Sequence, residues 1–345
     1  MIRPLQYMPK DDQVGRRRSP WGLSSGQTRS VIHDPQDALA LVAGELADCE
    51  EQIHAQLMSD VKALAEVSQY LVRAGGKRLR PVLSALGAQV LGIRPDPKLM
   101  CTGELIHLGS LLHDDVVDLG VTRRGQAVTH SVYGNAAAIL GGDYCIARAT
   151  LLAAEKGNVV LSHRLAQVLT AMAEGEMLQL NRAADLSTTR EAYYEVIERK
   201  AAVLIGWCTS AHAWVEGRED EALVLESYGR SVGMAFQITD DVLDYREDTG
   251  KKSGADLRER KVTLPLLHAM KRIPSLRERL EDHAPNAKEV GQLQSEIRCS
   301  GALSDALEDA RGFVTTAMDA LEQLPQGPAK EALGVLGRFV VERVV

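Results

Sequence analysis

The sequence predicts an all-α protein, and three observations support this fold class. Ala, Leu, Glu and Arg, which are favourable in helices, are abundant, and aromatic residues make up only 4% of the chain. Apolar residues recur every three or four positions through most of the sequence, as they do on amphipathic helices. Alternating runs bounded by hairpin turns are rare, so a β-sheet is not predicted.

The beginning of the chain differs from the rest. Residues 1–34 are rich in Arg, Pro, Gly, Ser and Gln and lack hydrophobic periodicity, so we predict a mobile N-terminal extension. Asp34-Pro35 then favours a helix start, because Pro is tolerated at the first helical position. Residues 35–345 are predicted to form one domain.

Glycine and proline divide this domain into successive helices. Gly75-Gly76 interrupts the helical pattern once, and the segment from Gly92 to Pro97 interrupts it again. Two or three further helices are predicted towards Val345. The other predicted helical stretches are 38–71, 81–91, 98–117, 136–155, 163–180, 190–215, 219–245 and 263–270.

Charge, cysteine content and hydropathy exclude several classes of protein. The net charge of -7 argues against a nucleic-acid partner. Five cysteines, scattered and never in a CxxC pair, argue against a disulfide framework or a structural zinc site, and a cytoplasmic location is expected. No apolar run is long enough to predict a transmembrane segment. Arg16-Arg17-Arg18 is not followed by an apolar stretch, so an export signal is not predicted.

Two aspartate-rich motifs of the DDxxD type are the main chemical feature of the chain. DDVVD begins at Asp114 and DDVLD begins at Asp240, each at the end of an apolar helical stretch. Because positions i and i+4 share a helix face, Asp118 lies beside Asp114, and Asp244 lies beside Asp240. Such carboxylates repel unless a cation sits between them, and without His or Cys they favour Mg²⁺ over zinc. We interpret the motifs as two walls facing one diphosphate, the alternative being two solvated acidic helix ends.

Basic residues lie close to these motifs in the sequence. The segment GGKRLRP at 75–81 places three cations just before a predicted helix, and Arg123-Arg124 follows the first aspartate motif. Glycines allow the backbone to turn, and a helix start adds exposed N–H donors for an anion. Taken alone, the first segment is better interpreted as a solvated basic loop. Beside carboxylates that bind metal, these cations indicate a metal–diphosphate site.

Taken together, these motifs resemble those of the trans-isoprenyl diphosphate synthases, also called polyprenyl synthases. The resemblance implies an isoprenoid synthase-type helical bundle around a central cavity, usually a homodimer. It implies a prenyltransferase that extends an allylic diphosphate with isopentenyl diphosphate, using about three Mg²⁺ ions per active site. The matching elements are GGKRLRP at 75–81, HLGSLLHDDVVD at 107–118, RRG at 123–125, GGD at 141–143, GEMLQ at 175–179, QITDDVLD at 237–244 and GADLRERKVTLP at 254–265.

The resemblance also assigns roles to individual residues. Asp114 and Asp118 would bind two Mg²⁺ ions, Asp240 would bind a third, and Asp244 and Asp256 would act largely through metal-bound water. The residues that match the isopentenyl diphosphate site are Lys77, Arg80, His107 and Arg124. The residues that match positions near the allylic diphosphate are Arg123, Lys200, Gln237, Lys251 and Lys261, of which Arg123, Lys200 and Lys251 would stabilise the departing diphosphate.

Three positions depart from the family pattern. Ala201 follows Lys200 where a threonine is usual, Arg260 replaces the glycine of a Glu-Gly-Lys segment, and Leu119 replaces an acidic residue. None of these changes removes a metal ligand or a principal cation. We therefore expect them to affect substrate preference more than activity.

Two small residues suggest the length of the product. Ser110 lies one helical turn before Asp114 with Gly109 beside it, and a bulky aromatic at either position would block a growing chain. We therefore expect a medium- or long-chain all-trans polyprenyl diphosphate, with a peripheral membrane contact for its release. The alternatives are a short-chain (geranylgeranyl or farnesyl) synthase, a class I terpene cyclase, a non-catalytic prenyltransferase subunit and a helical scaffold protein.

Overall fold

The computed structural model describes residues 32–73, 75–118, 120, 122–123, 126–246, 254–282 and 285–344. A π-helical turn, Glu198–Ala202, joins α9 to α10, and a hairpin of two-residue strands, β1 Thr122–Arg123 and β2 Gln126–Ala127, follows α5. The helices are α1 Pro35–Leu41, α2 Ala43–Gln56, α3 Lys62–Arg73, α4 Leu79–Val90, α5 Pro97–Val117, α6 Thr129–Tyr133, α7 Asn135–Ala154, α8 Val159–Asn181, α9 Arg190–Ile197, α10 Val203–Val215, α11 Glu219–Leu243, α12 Ala255–Arg258, α13 Leu264–Arg272, α14 Ser275–Asp282, α15 Ala287–Cys299, α16 Ala302–Glu322 and α17 Pro328–Glu342.

The predicted all-α class is confirmed, and so is the helix start at Pro35. The Asp34 carboxylate caps α1 by accepting hydrogen bonds from the backbone N–H groups of Gln36 and Asp37, at 2.8 and 2.9 Å. The sequence pattern missed α6, α12 and the hairpin, which are too short to show a period. It also gave too few helices after α13, where the described chain has four. The mobile extension predicted at residues 1–34 stays a prediction, because residues 1–31 lie outside the described residues.

The core is built around α10. Every residue from Val203 to Trp214 is buried, and the helix packs against α11, α4 and α8. On one side α11 lies between α10 and α16, and on the other side α5 packs against α7 and α2. The two helices that carry the aspartate motifs, α5 and α11, therefore both contact the central helix.

Helix α7 has two different environments. One side packs against α5 and α3, whereas Ile139, Leu140 and Leu151 on the other side are 42%, 60% and 45% exposed. Among the described residues, α7 is the one helix that is long and apolar enough to span a membrane, judged by length and composition only, with 39% of its apolar window buried. The predicted absence of a transmembrane segment stays a prediction.

Candidate active site

The two aspartate motifs meet at one end of the bundle. Asp118 and Asp244 are the C-cap residues of α5 and α11. The segment after α11 connects them, because the Asp244 carboxylate accepts the N–H of Asp256 at 3.0 Å, and the Lys261 ammonium lies 3.4 Å from the Asp118 carboxylate. Although burial alone would lower the pKa of Lys261, its ion pairs with Glu259 and Asp118 raise that pKa above its ordinary value.

The second aspartate of the second motif, Asp241, points away from solvent. Asp241 is buried, and its carboxylate accepts hydrogen bonds from the Tyr193 hydroxyl at 2.6 Å and the Gln237 amide at 2.9 Å. Burial raises the pKa of Asp241 to about 7, and burial also raises the pKa of Asp256. Gln237, predicted to lie near the allylic diphosphate, thus holds a carboxylate in the metal-free protein. Tyr193 has no signal in the sequence that could have identified it.

These carboxylates fit Mg²⁺. Asp241 is buried and Asp256 is partly buried, and carboxyl groups whose pKa values are raised in this way are stabilised by a nearby cation. Among the residues that the structure describes, no three His, Cys, Asp or Glu side chains converge closely enough to hold an ion by themselves. This arrangement suits an ion that takes one or two carboxylates and completes its shell with water and phosphate oxygens.

The three cations of the 75–81 segment have different environments. Arg78 donates two hydrogen bonds to Glu50 and one to Glu104, all at 2.8 Å, so it ties α4 to α2 and α5. Arg80 is partly buried, its charge lies close enough to interact with Glu104 and Asp240, and its Nε is enclosed without a hydrogen-bond partner in the described structure. Lys77 is exposed. A partly buried guanidinium with an enclosed, unpaired Nε donor near the second aspartate motif is suited to an anion.

Lys200 lies on the π-helical turn, a feature often found at functional sites. A Cβ atom at Gly175 would lie 2.7 Å from the Lys200 backbone nitrogen, so a glycine there lets α8 approach the turn. The Lys200 ammonium pairs with Glu176, which belongs to the GEMLQ segment. Lys200 lines a cavity whose walls also include Gln179, Tyr193, Gln237, Asp241, Asp256 and Lys261.

An arginine far along the chain also reaches this site. The Arg343 guanidinium lies 2.7 Å from the Asp240 carboxylate and 4.3 Å from the centre of the Phe236 ring. Arg343 is 103 positions after Asp240, and nothing in its sequence surroundings indicates this contact. The first aspartate of the second motif is therefore neutralised by a cation in the metal-free protein.

The comparison with protein families decides the family of the chain. The polyprenyl synthetase family model matches residues 61–298, which is more than half of the sequence. The chain belongs to the polyprenyl synthetase family. The family resemblance and the prenyltransferase class predicted from the motifs are thereby confirmed.

Several members of the polyprenyl synthetase family are similar over most of their length. Octaprenyl diphosphate synthase from Haemophilus influenzae is 38% identical over 312 residues, which are 87% of this chain and 94% of that protein. All-trans-nonaprenyl-diphosphate synthase (geranyl-diphosphate specific) from Rhodobacter capsulatus is 35% identical over 323 residues, 91% and 99% of the two chains. The crystal structure of polyprenyl synthase from Caulobacter crescentus CB15, complexed with calcium and isoprenyl diphosphate, has a TM-score of 0.86 and 34% identity, and the match covers 92% of this chain and 100% of that one.

One face of helix α5 is accessible at the candidate active site of this polyprenyl synthetase. His107, Ser110 and Asp114 are partly exposed along it, and the Ser110 hydroxyl donates to the His107 carbonyl at 2.9 Å. Ser110 thus lies on the same face as the first aspartate, as expected. The side chain of Arg123 is not described, and Arg124, Leu119 and Lys251 lie outside the described residues.

The expectation that Gly109 borders an open cavity is not met. A Cβ atom at this position would lie 2.8 Å from the Ile146 side chain and 2.9 Å from the Gly142 carbonyl, both on α7. Gly109 is buried where α5 crosses α7, so an aromatic side chain there would first have to displace a helix. Ser110 is the better position for testing the path of the product.

Proposed function

We propose that this chain is a Mg²⁺-dependent enzyme that condenses isopentenyl diphosphate with an allylic diphosphate to give a medium- or long-chain all-trans polyprenyl diphosphate. The observation that carries the proposal is the meeting of the two aspartate motifs through the 254–261 segment, at the end of the bundle where the partly buried Arg80 guanidinium lies near Asp240. The octaprenyl and nonaprenyl products in the names of two relatives support the chain length.

Four carboxylates would hold the metal. Asp114 and Asp118 would bind two Mg²⁺ ions and Asp240 a third, once Arg343 gives up its ion pair. The Asp244 carboxylate already accepts backbone N–H groups, so it would reach an ion through water. When bound, Mg²⁺ neutralises the departing diphosphate and so lowers the barrier to breaking the allylic C–O bond.

The cations of the chain would position the two substrates. Lys200 and Lys261 line the cavity and would bind the allylic diphosphate, which leaves with the electron pair of its C–O bond. Lys77, Arg80 and His107 would hold isopentenyl diphosphate so that its double bond attacks the allylic carbon. The resulting tertiary cation loses a proton, and the diphosphate that has just departed accepts it. Roles for Arg123, Arg124 and Lys251 beside these groups remain part of the proposal.

The assembly we propose is a homodimer that pairs through α7. Its exposed side carries Ile139, Leu140 and Leu151, and Val159 at the start of α8 is 82% exposed. An apolar surface of this kind is stabilised by a second copy of the chain. Leu140→Glu should shift the mass measured by light scattering from dimer to monomer, and an unchanged dimer would place the interface elsewhere. A cytoplasmic location and a transient membrane contact during product release complete the proposal.

One assay tests the proposed reaction directly. The purified protein is incubated with isopentenyl diphosphate, Mg²⁺ and each of several allylic primers, and the product length is measured. Chelation of Mg²⁺ should abolish condensation, and Asp114→Ala or Asp240→Ala should lower turnover by several orders of magnitude while the fold survives. Asp319→Ala, which removes an exposed carboxylate from α16, is the matched control. Near-normal turnover in both site variants would contradict the metal assignment.

A further inference from the structure

The short helix α12 ends in a turn that delivers residues to the cavity. The N–H of Arg260 donates to the carbonyl of Leu257 at 3.3 Å, and the N–H of Lys261 donates to the carbonyl of Asp256 at 2.8 Å. These two bonds define a Schellman motif, in which the residue after the helix cap adopts a left-handed conformation. Lys261, Val262 and Thr263, the next three residues, all line the cavity.

The left-handed position of this turn is Arg260, with φ at +54°. Glycine is the usual residue there because a side chain is disfavoured at positive φ. The backbone carbonyl of Arg260 accepts the N–H of Ala184 at 3.1 Å, and Ala184 itself has φ at +62°. Two strained residues are therefore bonded to each other next to the cavity, an arrangement that persists only where the surroundings hold it.

The Arg260 side chain provides one such restraint. Its Nη2 donates to the Leu280 carbonyl at 3.1 Å, and Leu280 lies in the last turn of α14. Carbonyls in the last turn of a helix lack partners within that helix and carry its negative dipole end, so a guanidinium is a favourable cap. A glycine at 260 would form the same turn without strain but would leave it unattached to α14.

We propose that Arg260 is a positioning residue for Lys261. Its guanidinium fastens the turn to α14 and so fixes the Lys261 ammonium, which lies 2.8 Å from Glu259 and 3.4 Å from Asp118, at the cavity wall. The inference rests on the proposed function, in which Lys261 binds the diphosphate of the allylic substrate. It explains why this chain has an arginine in a conformation that suits glycine.

Substitutions at this position separate positioning from stability. Arg260→Gly removes the attachment and the strain, Arg260→Ala removes the attachment only, and Arg260→Lys keeps a cation that can reach a carbonyl. Arg311→Ala, which breaks an exposed ion pair within α16, is the control. For each full-length variant the measurements are the melting temperature, kcat, the KM values for primer and isopentenyl diphosphate, and calorimetric binding of inorganic diphosphate with Mg²⁺.

The glycine and alanine variants should both raise the primer KM about tenfold, the effect of losing one charge-assisted hydrogen bond, and weaken inorganic diphosphate binding to match. The KM for isopentenyl diphosphate should stay at the wild-type value, Arg260→Lys should recover part of the loss, and Arg260→Gly should melt above Arg260→Ala. A glycine variant with wild-type primer KM would overturn the inference and leave the proposed function intact. A wild-type protein that elongates no primer would overturn the proposed function first.

Discussion

Replacing Arg78 with methionine should destabilise the fold, although Arg78 lies between Lys77 and Arg80, which are assigned to substrate binding. Its side chain is 15% exposed, and it neutralises Glu104, which is 5% exposed, and Glu50, which is 40% exposed. Methionine keeps much of the volume and removes the charge. The buried Glu104 carboxylate would then lose its principal partner.

The size of the effect follows from burial. Removing one partner of a buried ion pair costs about 3–5 kcal/mol, because the remaining charge stays away from water. We expect a value near the lower end, about 3 kcal/mol, since the partly buried Arg80 also interacts with the charge of Glu104. Lys77→Ala, one residue away on an exposed side chain, should change the free energy of unfolding by less than about 0.5 kcal/mol.

Urea unfolding monitored by the circular dichroism of the helices measures this difference. Arg78→Met should unfold at a clearly lower urea concentration than Lys77→Ala, and adding Glu104→Gln to Arg78→Met should recover part of the loss. If Arg78→Met were as stable as Lys77→Ala, the Arg78–Glu104 pair would not support the fold. Arg78 would then have to be considered as a diphosphate ligand.

Three further predictions concern the substrates and pH. Lys77→Ala and Arg80→Ala should each raise the KM for isopentenyl diphosphate about tenfold or more in steady-state assays, and a rise in the primer KM alone would reverse the two sites. Ser110→Phe should shorten the product to about farnesyl or geranylgeranyl length on chromatography, whereas an unchanged product in an active variant would mean that the chain passes another wall. Burial lowers the pKa of His212 from 6.5 to about 4, and its Nε2 accepts the N–H of Asp96 at 2.9 Å. As the pH falls, His212 is therefore protonated at a higher pH in the unfolded chain than in the folded protein, and the free energy of unfolding should fall by about 3 kcal/mol between pH 6.5 and pH 4. The urea midpoint should vary less across this range in His212→Gln than in the wild-type protein.

Sequence reasoning identified the chemistry that is encoded by residue type and local spacing. The aspartate motifs could be found because carboxylates at i and i+4 have the same meaning wherever the helix lies. Long helices such as α5, α7 and α11 could be predicted because an apolar period over 20 or more residues is difficult to produce otherwise. Short elements such as α12 depend on the tertiary contacts of their neighbours and left no such pattern.

What the sequence could not show depends on packing over long distances. Arg78 and Arg80 are alike in the sequence, and only partners 26 and 28 residues away show that Arg78 supports the fold. Gly109 and Ser110 are adjacent, yet side chains of consecutive helical residues point about 100° apart. Which of them faces α7 depends on how two helices cross, and the sequence of α5 alone does not specify that crossing.

The contact between Arg343 and Asp240 has a consequence for biosynthesis. The two residues are separated by 103 positions. In α17, the Leu333 carbonyl accepts a hydrogen bond from the Tyr228 hydroxyl. At about 5–20 residues per second, a ribosome needs roughly 5–20 s to advance from Asp240 to Arg343. During that interval the nascent chain already contains both aspartate motifs, but Asp240 still lacks its guanidinium. The metal-binding end of the enzyme is therefore completed late, when the last helix docks, and a transcript truncated before α17 would yield a chain with the catalytic motifs but an unfinished site.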